Sequence, residues 1–512
     1  MCDSASHIAQ FESILKGKLP GAEIVIGLVG PVGANLKIVE SLFTECLKKY
    51  HYKTHAIHVS GLIERFITLP TFNPENEYER IDVMMTAGNN ARKETNDNSV
   101  LALAAVLQIY AGREKQYQSK PRQAYIINSL KHPDEVNALR RIYGNGFFLI
   151  GVYVTPEQRK RDLNREKKMS PQDAEKLMLR DESEEFYHGQ HARETFHLSD
   201  FFLHTDKNNN RTRTILNRFL DILMANPFRT PLFDEYAMFI AFGAATRSAD
   251  LSRQIGAVIA RNDEILATGA NECPRYGGGT YWPQLKKDGT VEDIPNGRDY
   301  KLGYDSNDKM KQKMIKQIIV KIRSDWEEKY SNEMPVKPDF LKESLLSSPI
   351  DDITEYGRVV HAEMDALLTC SRNNISCCDA TLYTTTFPCH NCAKHIIAAG
   401  IKRVVYIEPY PKSKALKFHK DSVFAGFYES NQRKDRVAFE PFVGVGPRRF
   451  FDLFSMKHGS GFPLKRKEKT TGKALIWEKN HGTIRIPMFP WNYLQREEFA
   501  TLIVKKYMKR KK

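Results

Sequence analysis

The buried-strand run Ile24–Val29 is followed by the glycine-rich Gly30-Pro31-Val32-Gly33-Ala34-Asn35 and then by the amphipathic stretch Ile38–Phe43, which predicts a strand, a turn and a helix. Gln123–Ser129 and Phe147–Val154 repeat the pattern, each an apolar run of strand length trailed by helical sequence, as in a parallel α/β sheet. In the second half, Ile255–Ala260 and Glu264–Gly269 read as a hairpin around the polar turn Arg261-Asn262-Asp263. The β-branched and aromatic run Tyr383–Phe387 then precedes the helical run Ala393–Ala399, and Arg403–Ile407 reads as a further strand. Strands alternating with helices imply a sheet covered on both faces. The expected fold class is therefore α/β in both halves: a parallel sheet in residues 1–226 and a three-layer α/β/α domain in residues 227–512.

Within the second pattern lie His361-Ala362-Glu363 and Pro388-Cys389-His390-Asn391-Cys392. One imidazole and two thiolates give Zn²⁺ three protein ligands and leave the fourth tetrahedral position open for water, as a catalytic site requires. His361, Cys389 and Cys392 are therefore the expected ligands of one zinc ion. Glu363, two residues from His361, is placed to enter the pocket beside the metal without ligating it, and is the expected general acid/base. Pro388 starts a helix, whose N-terminus together with a divalent cation favours thiolate over thiol. A redox pair has no use for the H-x-E, and a zinc ribbon needs a fourth Cys or His at ribbon spacing. Cys370, Cys377 and Cys378 are expected to be small hydrophobes rather than a second metal cluster.

The H-x-E and P-C-x-x-C elements match the signature of zinc nucleobase deaminases. Residues from about Ala245 to Tyr410 resemble the deoxycytidylate branch of the cytidine deaminase superfamily, on Ser252 through Val258, Ala267 through Asn271, His361 through Glu363, Pro388 through Ala393, and Gly400-Ile401. The resemblance implies that Asn271 binds substrate, whereas the residue alone reads equally as a turn asparagine. The segment at about 273–350 is longer than a connection between adjacent elements and is expected to be an insertion that lids the site, makes an interface or acts as a tether.

At 512 residues and 41% hydrophobic content the chain has room for two or three domains. No apolar run approaches the roughly 20 residues of a bilayer span, and Met1–Ser6 lacks the pattern of a leader, so a cytoplasmic protein is expected. The net charge of +15, concentrated partly in a basic tail from Lys505 to Lys512, implies phosphate-bearing ligands. Arg253, Lys412 and Lys414 are the candidates for contacting the phosphates of a substrate, with Arg448 and Arg449 behind them; any of the five also reads as a plain surface charge.

The turn at Gly30 resembles a phosphate-binding loop but departs from G-x-x-x-x-G-K-[ST], since Asn35, Leu36 and Lys37 stand where Gly, Lys and Ser/Thr belong. Nucleotide binding without phosphoryl transfer is expected there, at Gly30, Gly33, Asn35 and Lys37. Arg159, Arg161 and Arg165 resemble the lid arginines of nucleotide kinases and are expected to close over the phosphates; a solvated charged helix is the plainer reading. The charged run Arg180-Asp181-Glu182 follows them.

Taken whole, the chain resembles bacterial anti-phage deoxycytidylate/dCTP deaminases, in which a degenerate P-loop kinase-like domain precedes the deaminase. Ser129 through Pro133, Arg140 through Tyr143, Glu408 through Lys414 and Phe442 through Arg449 carry that resemblance. It implies deamination of dCTP and dCMP to drain the deoxycytidine nucleotide pool, an inhibitory small RNA, and a homo-oligomer; the anion site of the Gly30 turn adds the expectation of a regulatory nucleotide on the first domain. The competing reading is a nucleic-acid deaminase that flips a cytosine or adenine out of a strand. It would be expected to carry exposed aromatics for stacking bases, where this chain has a nucleotide-kinase-like domain.

Overall fold

The computed structural model describes residue 19 and residues 21–510, apart from 114–118, 183, 185, 186, 206–208, 331–333, 411 and 428–434. The expectation for Met1–Ser6 and the Lys511-Lys512 end of the basic tail lie outside the described residues. The chain forms two compact units: Met1–Tyr236 together with Phe442–Lys512, and Ala237–Pro441.

The first unit is built on β1 (Ile24–Val29), β2 (Lys53–His58), β3 (Gln123–Asn128), β4 (Phe147–Tyr153) and β5 (Phe201–His204), all parallel, in the spatial order β2-β3-β1-β4-β5. All six residues of β1 are buried, as a central strand covered on both faces requires. The turn after β1 leads into the helix Leu36–Lys48, whose N-cap Asn35 accepts a hydrogen bond from the Ile38 amide. Because β1 sits between β3 and β4 while the chain between β1 and β3 runs out to the edge strand β2, a crevice opens at the carboxyl ends of these strands.

The second unit holds β6 (Gly256–Arg261), β7 (Glu264–Ala270), β10 (Thr381–Thr386), β11 (Arg403–Glu408), β12 (Val423–Ala425) and β13 (Val437–Pro441), in the order β12-β13-β11-β10-β6-β7. The β6–β7 hairpin closes through Asn262 and Asp263, both at positive φ, as a two-residue primed turn demands. Helices lie on both faces of this sheet. At Gly269 an added Cβ would strike Ala362 and Ala366 of the helix Ala362–Arg372; at Gly256, paired to Ala270 on the opposite face, it would strike Ala241 of the helix Phe233–Ala245. The insertion contains a small ribbon, β8 (Gln284–Leu285) with β9 (Val291–Glu292), and the helix Ser306–Tyr330, along which Ile315 is the buried residue.

The expected boundary at 226/227 is corrected in two places. Residues 227–236 belong to the first unit, where Glu235 pairs with Arg218 and accepts the Val445 amide. Residues 442–512 also return to the first unit, outside the deaminase domain where they were expected. The segment Gly444–Val445 (β14) adds antiparallel to β5, and Leu453, Ile484 and Ile486 enter the same core as β1. The helix Pro490–Arg510 contributes Glu497, which with Glu23 forms a buried ion cluster around Arg113; Tyr493 donates to Glu23 at 2.6 Å. Replacing Glu497 with Gln leaves Glu23 to balance the Arg113 charge but removes the charge-assisted pair of hydrogen bonds that Arg113 makes to Glu497. It should destabilise the first unit by about 2 kcal/mol, read as a lowered denaturation midpoint at unchanged slope. Among the described residues, no helix is long and apolar enough to cross a membrane.

Candidate active site

His361 is the N-cap residue of the helix Ala362–Arg372 and Cys389 is the N-cap residue of the helix His390–Ala398, so two helix N-termini converge on the same point. Nδ1 of His361 lies 3.3 Å from the sulfurs of both Cys389 and Cys392. The Cys392 amide donates to the Cys389 sulfur at 3.4 Å, one turn into its helix. The three ligand atoms lie within 4.8 Å of one another, the one group of metal-binding geometry among the described residues. The sulfurs of Cys370, Cys377 and Cys378 are not part of that group.

Charge around the triad is organised for a cation. Cys389 is drawn down to about 4, by its hydrogen bond with Cys392 above all and then by His361. His361 is raised to about 9 by its hydrogen bond to Cys389, while Cys392 is held well above the ordinary thiol value, first by Cys389 and then by burial. Glu363 is buried, with Oε2 3.5 Å from the Cys392 sulfur, and burial raises its carboxyl to about 7. Its position and raised carboxyl fit the expected general acid/base. Asp365, two residues on, is also buried; it pairs with Arg247 and accepts the Ala270 amide at 3.2 Å, fixing the start of this helix against β7.

Asn271 is buried at the end of β7, where its Oδ1 accepts the Ile255 amide at 2.7 Å and its Nδ2 donates to the Arg253 carbonyl at 2.8 Å. The role visible for it is to pin the loop that carries Arg253. Arg253 itself is half-exposed, 3.6 Å from Glu408 and over the ring of Tyr410. Ser413 donates to the Pro388 carbonyl at 2.8 Å, tying the segment of Lys412 and Lys414 to the start of the Cys389 helix. Lys412 reaches toward Asp351 of the insertion at 3.7 Å, and Lys414 is exposed as the N-cap of the short helix Ala415–Phe418. Arg253, Lys412 and Lys414 thus lie on two loops that meet at Tyr410. Arg449 does not belong with them. It is buried in the first unit, paired with Asp200 and Asp452 and donating to the Phe147 carbonyl, and the exposed Arg448 stands beside it and Arg140.

In the first unit a cavity of about 840 Å³ opens at the carboxyl ends of β1 and β3, and Gly30, Gly33, Asn35 and Lys37 line it. Gly33 is at φ 87°, and a Cβ there would come within 3.0 Å of Arg159. The expected arginine clamp is corrected. Arg159 is buried against the turn, donating to the Val32 carbonyl at 2.7 Å. Arg161 and Arg165 are exposed and do not line the cavity, since residues 159 and 163 take the inward face of their helix. The cationic wall comes instead from Arg80, Arg92, Lys131 and Lys167 beside Lys37, and of the four only Lys131, in the Ser129–Pro133 stretch, lies in a segment singled out from the sequence.

Residues 232–408 match the family model of the cytidine and deoxycytidylate deaminase zinc-binding region. A deoxycytidylate deaminase of Enterobacteria phage T2 is 29% identical over 182 residues, covering 34% of this chain and 79% of that protein. Among solved structures, the dCMP deaminase of the cyanophage S-TIM5 in apo form is similar at 17% identity and a TM-score of 0.21, covering 41% of this chain and 98% of that one. A shikimate kinase from Acinetobacter baumannii is similar at 16% identity and a TM-score of 0.23, covering 41% of this chain and 97% of that one. The zinc-binding region contains all of His361, Glu363, Cys389 and Cys392. The chain is a zinc-dependent hydrolytic deaminase, and the donor set of one imidazole and two thiols with a non-ligating carboxylate fits one Zn²⁺.

Proposed function

We propose that the substrates are free deoxycytidine nucleotides, dCMP and dCTP, converted to dUMP and dUTP with release of ammonia, and that this activity depletes the dCTP pool of a cell under phage attack. Zinc held by the triad supplies Lewis acidity and an open coordination position for water. The observation that carries the reading is the buried carboxylate of Glu363, raised toward neutrality beside the Cys392 sulfur. Such a group takes a proton from the attacking water and returns it to the departing amine, so that water adds at C4 and ammonia leaves. The phage relative's name, the family match and the basic rim of Arg253, Lys412 and Lys414 support a cytosine nucleotide.

The first unit is read as a sensor that binds a nucleotide without transferring phosphate, because Leu36 and Lys37 stand in place of the catalytic lysine and hydroxyl. The resemblance to anti-phage deaminases adds a homo-oligomer in the cytoplasm, held off before infection by a small RNA. Incubation of the full chain with dCMP, dCTP, CMP, CTP and the adenine nucleotides, and separately with cytosine- or adenine-containing single strands, with ammonia release as the readout, tests the reading. Turnover of the deoxycytidine nucleotides is expected. Turnover of strands alone moves the protein to nucleic-acid deamination.

Replacing Arg253, Lys412 or Lys414 with Ala one at a time should raise the KM for dCTP about tenfold at a true phosphate contact, with zinc content unchanged. Unchanged KM in all three places the phosphate elsewhere.

A further inference from the structure

The glycine turn of the first unit already has an anion in it. Asp181, on the helix Pro171–Glu182, is wholly buried, and its Oδ2 accepts the Val32 amide of the turn at 2.7 Å. Its Oδ1 takes the Lys131 ammonium at 2.7 Å, and that ammonium also donates to the Gly30 carbonyl at 2.8 Å. Val32 and Lys131 both line the 840 Å³ cavity. A backbone N–H of such a turn together with a lysine is what a phosphate oxygen binds. Further along the wall, Ile63, Ile81, Met84, Met85 and Leu101 make an apolar face of the kind a nucleobase covers.

The helix that delivers Asp181 packs outside the main core. Ala174 and Leu177 form a small separate cluster with Met85, Leu163 and Met169, while the strands share a different and larger one. Satellite clusters of this kind open at lower free energy than the sheet they rest on. Arg180, the neighbour of Asp181, is tied to Asp82 and Glu184 near the surface, so the helix is latched by polar contacts that water can replace.

We propose that Asp181 is an internal occupant of the phosphate seat, and that a nucleoside phosphate enters this cavity by displacing the carboxylate from Val32 and Lys131, releasing the helix Pro171–Glu182. The proposal rests on the reading of the first unit as a nucleotide-binding unit and adds the switch: occupancy of the cavity is reported by the freedom of one helix. It places the device in a charged run, Arg180-Asp181-Glu182, that resembles ordinary surface sequence.

The test uses the full chain and inorganic pyrophosphate as probe, by calorimetry. Asp181→Asn keeps the size and one acceptor for the Val32 amide but removes the charge that neutralises Lys131. It should bind pyrophosphate at least tenfold more tightly than the unaltered chain, and the gain should vanish in Asp181→Asn/Lys131→Met. Equal, Lys131-dependent binding with and without Asp181 overturns the displacement while leaving the nucleotide site standing. Absence of any Lys131-dependent binding in either overturns both. Hydrogen exchange on the unaltered chain decides the matter if the variant does not fold: added pyrophosphate should speed exchange in residues 171–182, and unchanged or slowed exchange there with the probe bound overturns the proposal.

Discussion

Replacing Glu363 with Ala should leave one zinc bound per chain and lower kcat by about a thousandfold or more. The two outcomes separate because Glu363 shares the site without sharing the metal. The proposed ligand atoms are Nδ1 of His361 and the sulfurs of Cys389 and Cys392, held by two helix N-termini that do not depend on the carboxylate. What is lost is the group proposed to carry a proton from water to the leaving amine. Its burial, at 4% exposure, makes the loss severe, because bulk water is poorly placed to take over the transfer. Glu363→Gln, which keeps the size and can still accept a hydrogen bond, should be as inactive as Glu363→Ala, because proton transfer rather than packing is removed. Zinc measured by metal analysis at one per chain together with activity within tenfold of the unaltered enzyme would overturn the assignment.

The parts of the molecule legible in the sequence are those whose geometry is local. His361 and Glu363 are two residues apart at a helix start, and Cys389 and Cys392 span one helical turn, so spacing alone places each pair. The hairpin turn at Asn262-Asp263 was equally readable, since residues that tolerate positive φ sit between two apolar runs. The illegible parts are non-local. A two-residue strand at Gly444–Val445 has no periodicity to detect, yet it and the helix Pro490–Arg510 return the last 71 residues to the first unit, counting from 442 through 512. The burial of Arg449 is hidden in sequence because Asp200, which answers it together with the nearby Asp452, lies 249 residues away. Arg92 belongs to a helix with almost no amphipathic signal, and the buried charge is answered by Glu135 on another helix. The reading of Asn271 shows a middle case: its burial and its hydrogen bonds follow from the strand end it occupies, while contact with a ligand does not.

Replacing Cys392 with Ser should remove both zinc and activity, the opposite pattern to Glu363→Ala in the metal assay. Cys392 is buried at 1% exposure between the His361 ring, the Cys389 sulfur and the Glu363 carboxylate. A hydroxyl there is a harder, far less acidic donor and stays protonated where a thiolate would bind, so two ligands remain where the metal needs three. Cys389→Ser should lose metal as well, with an added effect on its helix. The Cys389 sulfur accepts the Cys392 amide as an N-cap, and serine preserves that hydrogen bond while alanine does not. Cys389→Ala should therefore unfold at a lower temperature than Cys389→Ser when both are compared free of metal, by about 1 kcal/mol of stability, while the two are equally inactive. Zinc retained at one per chain in Cys392→Ser would mean that the metal is held by another donor set, and equal stability of the two Cys389 variants would mean that the sulfur's role at the helix start is confined to the metal.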